Sequence, residues 1–332
     1  MNRKAVLLIN LGTPNQCEPK SVRRYLREFL NDPRVVDLPA ILRWPLVNLF
    51  IIPFRYKKTA AAYQKIWREA GSPLTIHSQE LQQALSVELG PEYRVEYGMR
   101  YGNPSILATL EKLSDCNALT VIPLFPQYSS AATGSAVEKL LEPISQFWNV
   151  PEVKIIRDFY NHPGFISAYA DLIRKHIDGK KVEMVLFSYH GLPERHISKS
   201  LCKAKCDHKS ACPGVDADNL YCYRAQCYAT TSLISKELGL APNQRFLSFQ
   251  SRLGRTPWIE PYTDMVLPEL IQKGIKNIAI VCPSFVADCL ETLEEINIRA
   301  REQWRGLGGE EFIFIPCVNS TSLWVQALAA MV

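Results

Sequence analysis

The sequence predicts an α/β protein built from two similar halves, each with a mainly parallel sheet. Three observations carry that prediction. Short apolar runs alternate with segments of helical periodicity, the signature of βαβ units. A turn of one kind recurs: Asn10-Leu-Gly-Thr-Pro14 leaves the first run much as His190-Gly-Leu-Pro193 leaves a later one. The length, 332 residues, suffices for two linked cores, with a join expected near 150. The halves are thus expected at 1–150 and 151–332.

Strands are expected at 5–10, 93–99, 118–124, 153–157, 184–189, 245–250, 277–282 and 311–315, and helical segments include 21–30, 59–69 and 81–89. The basic start Met1-Asn-Arg-Lys4 leads into an apolar run that stops at Asn10. It reads as a first strand rather than a secretory signal, so a cytoplasmic protein with reduced cysteines is expected. Segment 38–53 is apolar but divided by Pro39, Pro45 and Pro53, and carries Arg43. It is too broken to span a bilayer as a helix of ~20 residues, and reads as a packed helix or as an apolar lip that touches a membrane surface or admits a lipophilic ligand. A net charge of +5, with 21% charged residues, suits an anionic small molecule or membrane surface and argues for no nucleic-acid partner.

The chemistry-bearing residues sit where strands should end, the usual place for ligands in open α/β sheets. Val185 to Tyr189 runs apolar into His190, and Gly191 and Pro193 then break the chain. A histidine there can exchange protons near neutral pH or bind a metal. Pro123 to Gly134 offers hydroxyls and a glycine after the third strand; Phe249 to Pro261 offers Arg252, Arg255 and Trp258 for a flat anionic ligand. From Asp288 onward an α-helix is expected, and Asp288, Glu291 and Glu295 then share one face at i, i+3 and i+7. Such a row could attract a divalent cation or relay protons.

Together these segments resemble the ferrochelatases. The resemblance rests on Leu8-Ile-Asn-Leu-Gly-Thr-Pro14, Tyr63-Gln-Lys-Ile-Trp67 with Gly71-Ser-Pro73, and Tyr97-Gly-Met-Arg-Tyr101. It continues through Pro126-Gln-Tyr-Ser129, Ser188-Tyr-His-Gly-Leu-Pro193, Gln250-Ser-Arg252 with Pro257-Trp258, and Asp288-Cys-Leu-Glu-Thr-Leu293. It implies two Rossmann-like, doubly wound halves enclosing a porphyrin cleft, with the last helix packing back on the first half. It also implies the reaction: Fe2+, a substrate, enters protoporphyrin IX, two protons leave and protohaem forms. His190 and Glu291 match the family's central pair, as base or metal ligand and partner carboxylate, with Asp288 and Glu295 extending the carboxylate path. Arg299 stands where a further carboxylate is common. Leu11, Tyr63, Arg100, Tyr101, Tyr128, Ser251, Trp258 and Phe285 match positions that line or frame the porphyrin. The resemblance further implies a peripheral place on the inner face of the cell membrane, with protoporphyrinogen oxidase as the upstream partner.

The cysteines set this chain apart. Five of its ten lie between Cys202 and Cys227, in an insert over about 198–227, at spacings that are not those of a zinc finger. Clustered thiolates favour a metal or an Fe–S cluster. Some ferrochelatases carry a [2Fe–2S] cluster, which implies one here on Cys202, Cys206, Cys212 and Cys222, with Cys227 as the alternative fourth ligand; zinc or unligated thiols are the other readings. The first turn lacks Gly-x-Gly-x-x-Gly, so no nucleotide cofactor is expected. Insertion into coproporphyrin III, use of cobalt, and a non-catalytic haem-binding or Fe–S sensor role are the remaining functional alternatives.

Overall fold

Among the described residues eight strands form where the apolar runs demand them, because a strand buried on both faces must be apolar throughout. The structure, a computed structural model, describes residues 4–200, 212–254 and 256–332. The chain divides into two compact units, one of residues 1–125, 129–158 and 328–332, the other of residues 126–128 and 159–327.

In the first unit, β1 (Lys4–Thr13), β2 (Tyr93–Gly102), β3 (Ala118–Pro123) and β4 (Glu152–Ile155) make a parallel sheet of order β2-β1-β3-β4. Leu7, Ile9, Val121 and Leu140 belong to its core. In the second, β5 (Met184–His190), β6 (Arg245–Gln250), β7 (Asn277–Val281) and β8 (Glu311–Phe314) repeat the pattern as β6-β5-β7-β8, all parallel. Leu186, Ile278, Ile280 and Trp304 belong to that core.

The repeat extends to single hydrogen bonds. Met99 N–H donates to the Pro104 carbonyl and Phe249 N–H to the Pro261 carbonyl, both at 2.7 Å, so each second strand is closed by a proline loop in the same way. A π-helix follows the third strand in both units, Ser130–Gly134 in one and Glu291–Ala300 in the other. At the β1 turn, Gly12 has φ +113°, and a Cβ there would lie 1.8 Å from the Tyr101 carbonyl oxygen, so only glycine fits.

Segment 38–53 forms Ala40–Pro45, the π-turns Leu46–Ile51 and the start of Ile52–Ile66. Val47, Asn48 and Ile52 face inward, while Ile41 and Phe54 are 82% and 81% exposed and Trp44, Leu49 and Phe50 are also exposed. Among the described residues, no helix is long and apolar enough to cross a membrane.

Candidate active site

β5 is buried through Tyr189 and emerges at His190, which is half-buried. The backbone of His190 is held on both sides: its N–H donates to Ser284 Oγ at 3.0 Å, and its carbonyl accepts from the Tyr223 hydroxyl at 2.8 Å. Nδ1 lies 2.6 Å from the Gly191 carbonyl oxygen, which can only accept. Nδ1 therefore carries a hydrogen, and in the neutral ring Nε2 holds the lone pair of a base or ligand. Gly191 makes this possible, since a Cβ there would meet the Gln250 carbonyl oxygen at 2.8 Å and Trp258 Cε3 at 3.2 Å. The imidazole meets the Phe285 ring edge-on at 6.2 Å and lies 6.5 Å from the Trp258 ring, so these three predicted residues converge.

The carboxylate row departs from expectation. The segment Glu291–Ala300 is a π-helix, and Asp288 precedes it. Asp288 is 4% exposed, and its oxygens accept from Thr292 Oγ1 at 2.9 Å, Asn319 Nδ2 at 2.9 Å and Cys317 N–H at 3.2 Å. It fastens the helix start to segment 317–319, three donors satisfying it where water does not reach. Glu291 and Glu295 stay partly open. Glu294, buried, pairs with Arg299 Nε at 2.8 Å.

Glu295 accepts from Ser251 N–H at 2.8 Å and Ser251 Oγ at 2.5 Å. Burial raises its pKa, with the Ser251 hydroxyl, Arg299 and His190 pulling the other way, so Glu295 lies within the electrostatic reach of His190. Gln250, quoted within a motif but assigned no role from sequence, ties these parts together. Its side-chain oxygen accepts from Ser188 Oγ at 2.7 Å and its side-chain nitrogen donates to the Glu291 carbonyl at 3.1 Å. The only sequence signal for it is a polar residue at a strand's carboxyl end.

The predicted porphyrin-lining residues differ in how far they are free to touch a ligand. In the first unit Tyr101 is wholly buried, so it frames structure rather than lining a surface. Its hydroxyl donates to Asp32 Oδ2 at 2.8 Å, and the Arg100 guanidinium and Ser135 Oγ bind the same oxygen. Burial and the Asp32 charge hold the Tyr101 phenol protonated far above neutral pH. Tyr63, also buried, sets its ring edge against Trp67 at 6.0 Å; Leu11 is partly open, its N–H donating to Asn10 Oδ1 at 2.9 Å. In the second unit Tyr128 is partly open, its N–H donating to Gln226 Oε1 at 2.6 Å. Arg252, exposed, pairs with Asp264 at 2.8 Å and covers the Tyr262 ring; Arg255 lies outside the described residues.

The ferrochelatase family profile matches residues 3–332. The chain belongs to the ferrochelatase family. A ferrochelatase of Legionella pneumophila (strain Philadelphia 1) is 55% identical over 330 residues, covering 99% of this chain and 98% of its own. One of Coxiella burnetii (strain Dugway 5J108-111) is 49% identical over 333 residues, covering 99% and 93%. Among solved structures, SirB from Bacillus subtilis with Fe3+ superposes with a TM-score of 0.53 at 12% identity, covering 99% of this chain and 93% of its own. SirB from Bacillus subtilis subspecies spizizenii, in complex with cobalt, gives 0.53 at 9% identity, covering 98% and 92%. These two share the fold.

In this ferrochelatase-family chain Cys202 and Cys206 lie outside the described residues, as does the whole of segment 201–211. Cys212 is half-buried and its sulfur accepts from Arg224 Nη1 at 2.9 Å; Cys222 caps the helix Tyr223–Leu238 and is buried, as is Cys227. Burial raises the Cys227 thiol's pKa, and the neighbouring Cys222 and Cys212 add to the rise. Among the described residues no group of three His, Cys, Asp or Glu could hold a metal ion. Cys282, Cys289 and Cys317 are buried core thiols whose pKa values burial raises.

Proposed function

We propose that the protein inserts Fe2+ into protoporphyrin IX, releasing two protons and forming protohaem, with His190 and Glu291 at the centre of the reaction. The observation that carries this reading is the 2.6 Å contact of His190 Nδ1 with the Gly191 carbonyl oxygen, at a strand end pinned at both backbone atoms, which leaves Nε2 for chemistry. A porphyrin must give up two pyrrole N–H protons and the iron must shed water. A neutral imidazole with a preset lone pair can take the first role without reorganising, and a carboxylate on the adjoining helix can hold the departing charge. Family membership and relatives named ferrochelatase support the same reading.

Phe285 and Trp258, beside the imidazole, supply apolar faces suited to a flat aromatic macrocycle. Leu11 and Tyr128 keep partial exposure and are retained as ligand contacts, whereas Tyr63, Arg100 and Tyr101 act by framing. The exposed row Ile41, Trp44, Phe50 and Phe54, with Arg43 among them, suits peripheral seating on an anionic bilayer. Such seating would let a lipophilic porphyrin pass directly from an upstream protoporphyrinogen oxidase. The Arg224 guanidinium donates to the Cys212 sulfur at 2.9 Å, a cation placed to offset cluster charge, which supports a [2Fe–2S] cluster on Cys202, Cys206, Cys212 and Cys222, Cys227 being the alternative. Bound there, the cluster would supply one-electron chemistry or structural bracing.

Anaerobic Fe2+ insertion by the purified protein, with protoporphyrin IX and coproporphyrin III in parallel, tests the proposal. Turnover of protoporphyrin that collapses in folded His190→Ala and Glu291→Ala is expected. Preference for coproporphyrin III would replace the substrate. No insertion into either ring by a well-folded parent would overturn the activity.

A further inference from the structure

One peptide group in the second unit is gripped from both sides. The carbonyl of the Gln250–Ser251 peptide accepts the Gly191 N–H at 2.8 Å. The N–H of the same peptide donates to Glu295 Oε1 at 2.8 Å, and Ser251 Oγ donates to Glu295 Oε2 at 2.5 Å. The Gly191 carbonyl in turn accepts from His190 Nδ1 at 2.6 Å. Three hydrogen bonds thus link the Glu295 carboxylate to the imidazole through Ser251, Gln250 and Gly191; the Gly191 N–H and carbonyl belong to adjacent peptide groups, so the last link is one of position rather than of polarisation.

Ser251 has φ +67°, the left-handed region that a residue with a Cβ enters only under strain. Such a conformation persists only where its surroundings over-determine it. Here one carboxylate takes both the N–H and the hydroxyl of that residue, and each is a charge-assisted bond. Both oxygens of Glu295 are therefore committed within the protein.

We infer that Glu295 is a positioning residue for His190, holding Ser251 in its left-handed conformation and, through the Gln250–Ser251 peptide, fixing the Gly191 carbonyl that sets the imidazole's tautomer and orientation. The role goes beyond a step on a metal path, and it rests on the proposed function only where turnover is the readout.

A double-substitution cycle with Glu295→Gln and Ser251→Gly tests it, because glycine adopts φ +67° without strain. Glu295→Gln should lower kcat at least tenfold with an unchanged KM for Fe2+, and in the Ser251→Gly background the same change should cost less than threefold. A raised KM for Fe2+ at unchanged kcat, or equal losses in both backgrounds, would overturn the inference. A second readout needs no turnover: imidazole 15N shifts, with the His190 signal assigned by its absence in His190→Ala. The parent should show the Nδ1–H tautomer and Glu295→Gln a mixture; a pure Nδ1–H tautomer in Glu295→Gln would overturn it. A parent that binds no porphyrin and inserts no iron sinks the proposed function while leaving the NMR result readable. Should Glu295→Gln fail to fold, recovery of folding in the Ser251→Gly background supports the inference, and failure there refutes it.

Discussion

Replacing Asp32 by asparagine should unfasten the first unit. Asp32 Oδ2 accepts from the Tyr101 hydroxyl, Ser135 Oγ and the Arg100 guanidinium, and Oδ1 accepts from Arg34 N–H at 2.7 Å. The Asp32 side chain is 3% exposed and that of Arg100 15%. Asparagine cannot serve this set: if its oxygen keeps Arg34 N–H, its NH2 faces the Arg100 guanidinium, which has no lone pair to accept it, and if it flips, the NH2 faces the Arg34 N–H. Breaking a buried pair costs about 3–5 kcal/mol; the residual exposure of Arg100 places the expectation near the lower end, about 3 kcal/mol. That corresponds to a fall in Tm of roughly 6–12 °C for a unit of this size. Burial raises the Asp32 pKa, but the Ser135 hydroxyl, Arg34 N–H, Tyr101 and Arg100 outweigh it, and the net shift is downward. A lowered carboxylate pKa contributes stability that is present above the unfolded value of about 3.9 and is lost as pH falls through the folded value. Urea unfolding at neutral pH should therefore separate parent from Asp32→Asn, with the gap narrowing steadily below about pH 3.9. A loss under about 1 kcal/mol, or a gap indifferent to acid, would refute the reasoning.

Two further outcomes are expected. Ile41→Glu with Phe54→Glu should abolish co-sedimentation with anionic vesicles at unchanged Tm, since both side chains are exposed; undiminished sedimentation would remove the membrane role from this face. Protein isolated anaerobically should show visible absorbance of sulfur-to-iron charge transfer that Cys212→Ser and Cys222→Ser each bleach, and Arg224→Met should shift the reduction potential of what remains, because it removes the 2.9 Å donor to the Cys212 sulfur. A colourless parent rich in zinc would replace iron–sulfur by zinc.

The strands were readable because burial on both faces leaves an uninterrupted apolar run: β6, expected at 245–250, is Arg245–Gln250, and each other strand begins within one residue of its expected start. Helix starts were read late. Pro53 and Pro73 look like breakers, yet each sits in a first helical turn, where no N–H is missed. His190 and Glu291 could be picked out because titratable groups follow strand ends. The bond by which Asp288 holds segment 317–319 was not legible, because its partner Asn319 lies 31 residues away and no local pattern announces it. The bond of the Tyr101 hydroxyl to Asp32, 69 residues earlier, was hidden in the same way. The winding of the acidic segment was invisible: Asp288, Glu291 and Glu295 satisfy an α-helical stripe equally well on paper.

That winding has a consequence for how the protein tolerates insertions and deletions. A π-helix turns in roughly 4.4 residues where an α-helix turns in 3.6, so Glu291 and Glu295, four residues apart in Glu291–Ala300, fall just short of one full turn rather than just past it. Removing one residue between them would let the backbone relax to ordinary α spacing while placing them three apart, swinging the second carboxylate away from Ser251 with every side chain's identity intact. The reading frame of this helix, as much as its composition, is what any viable descendant of this gene must keep.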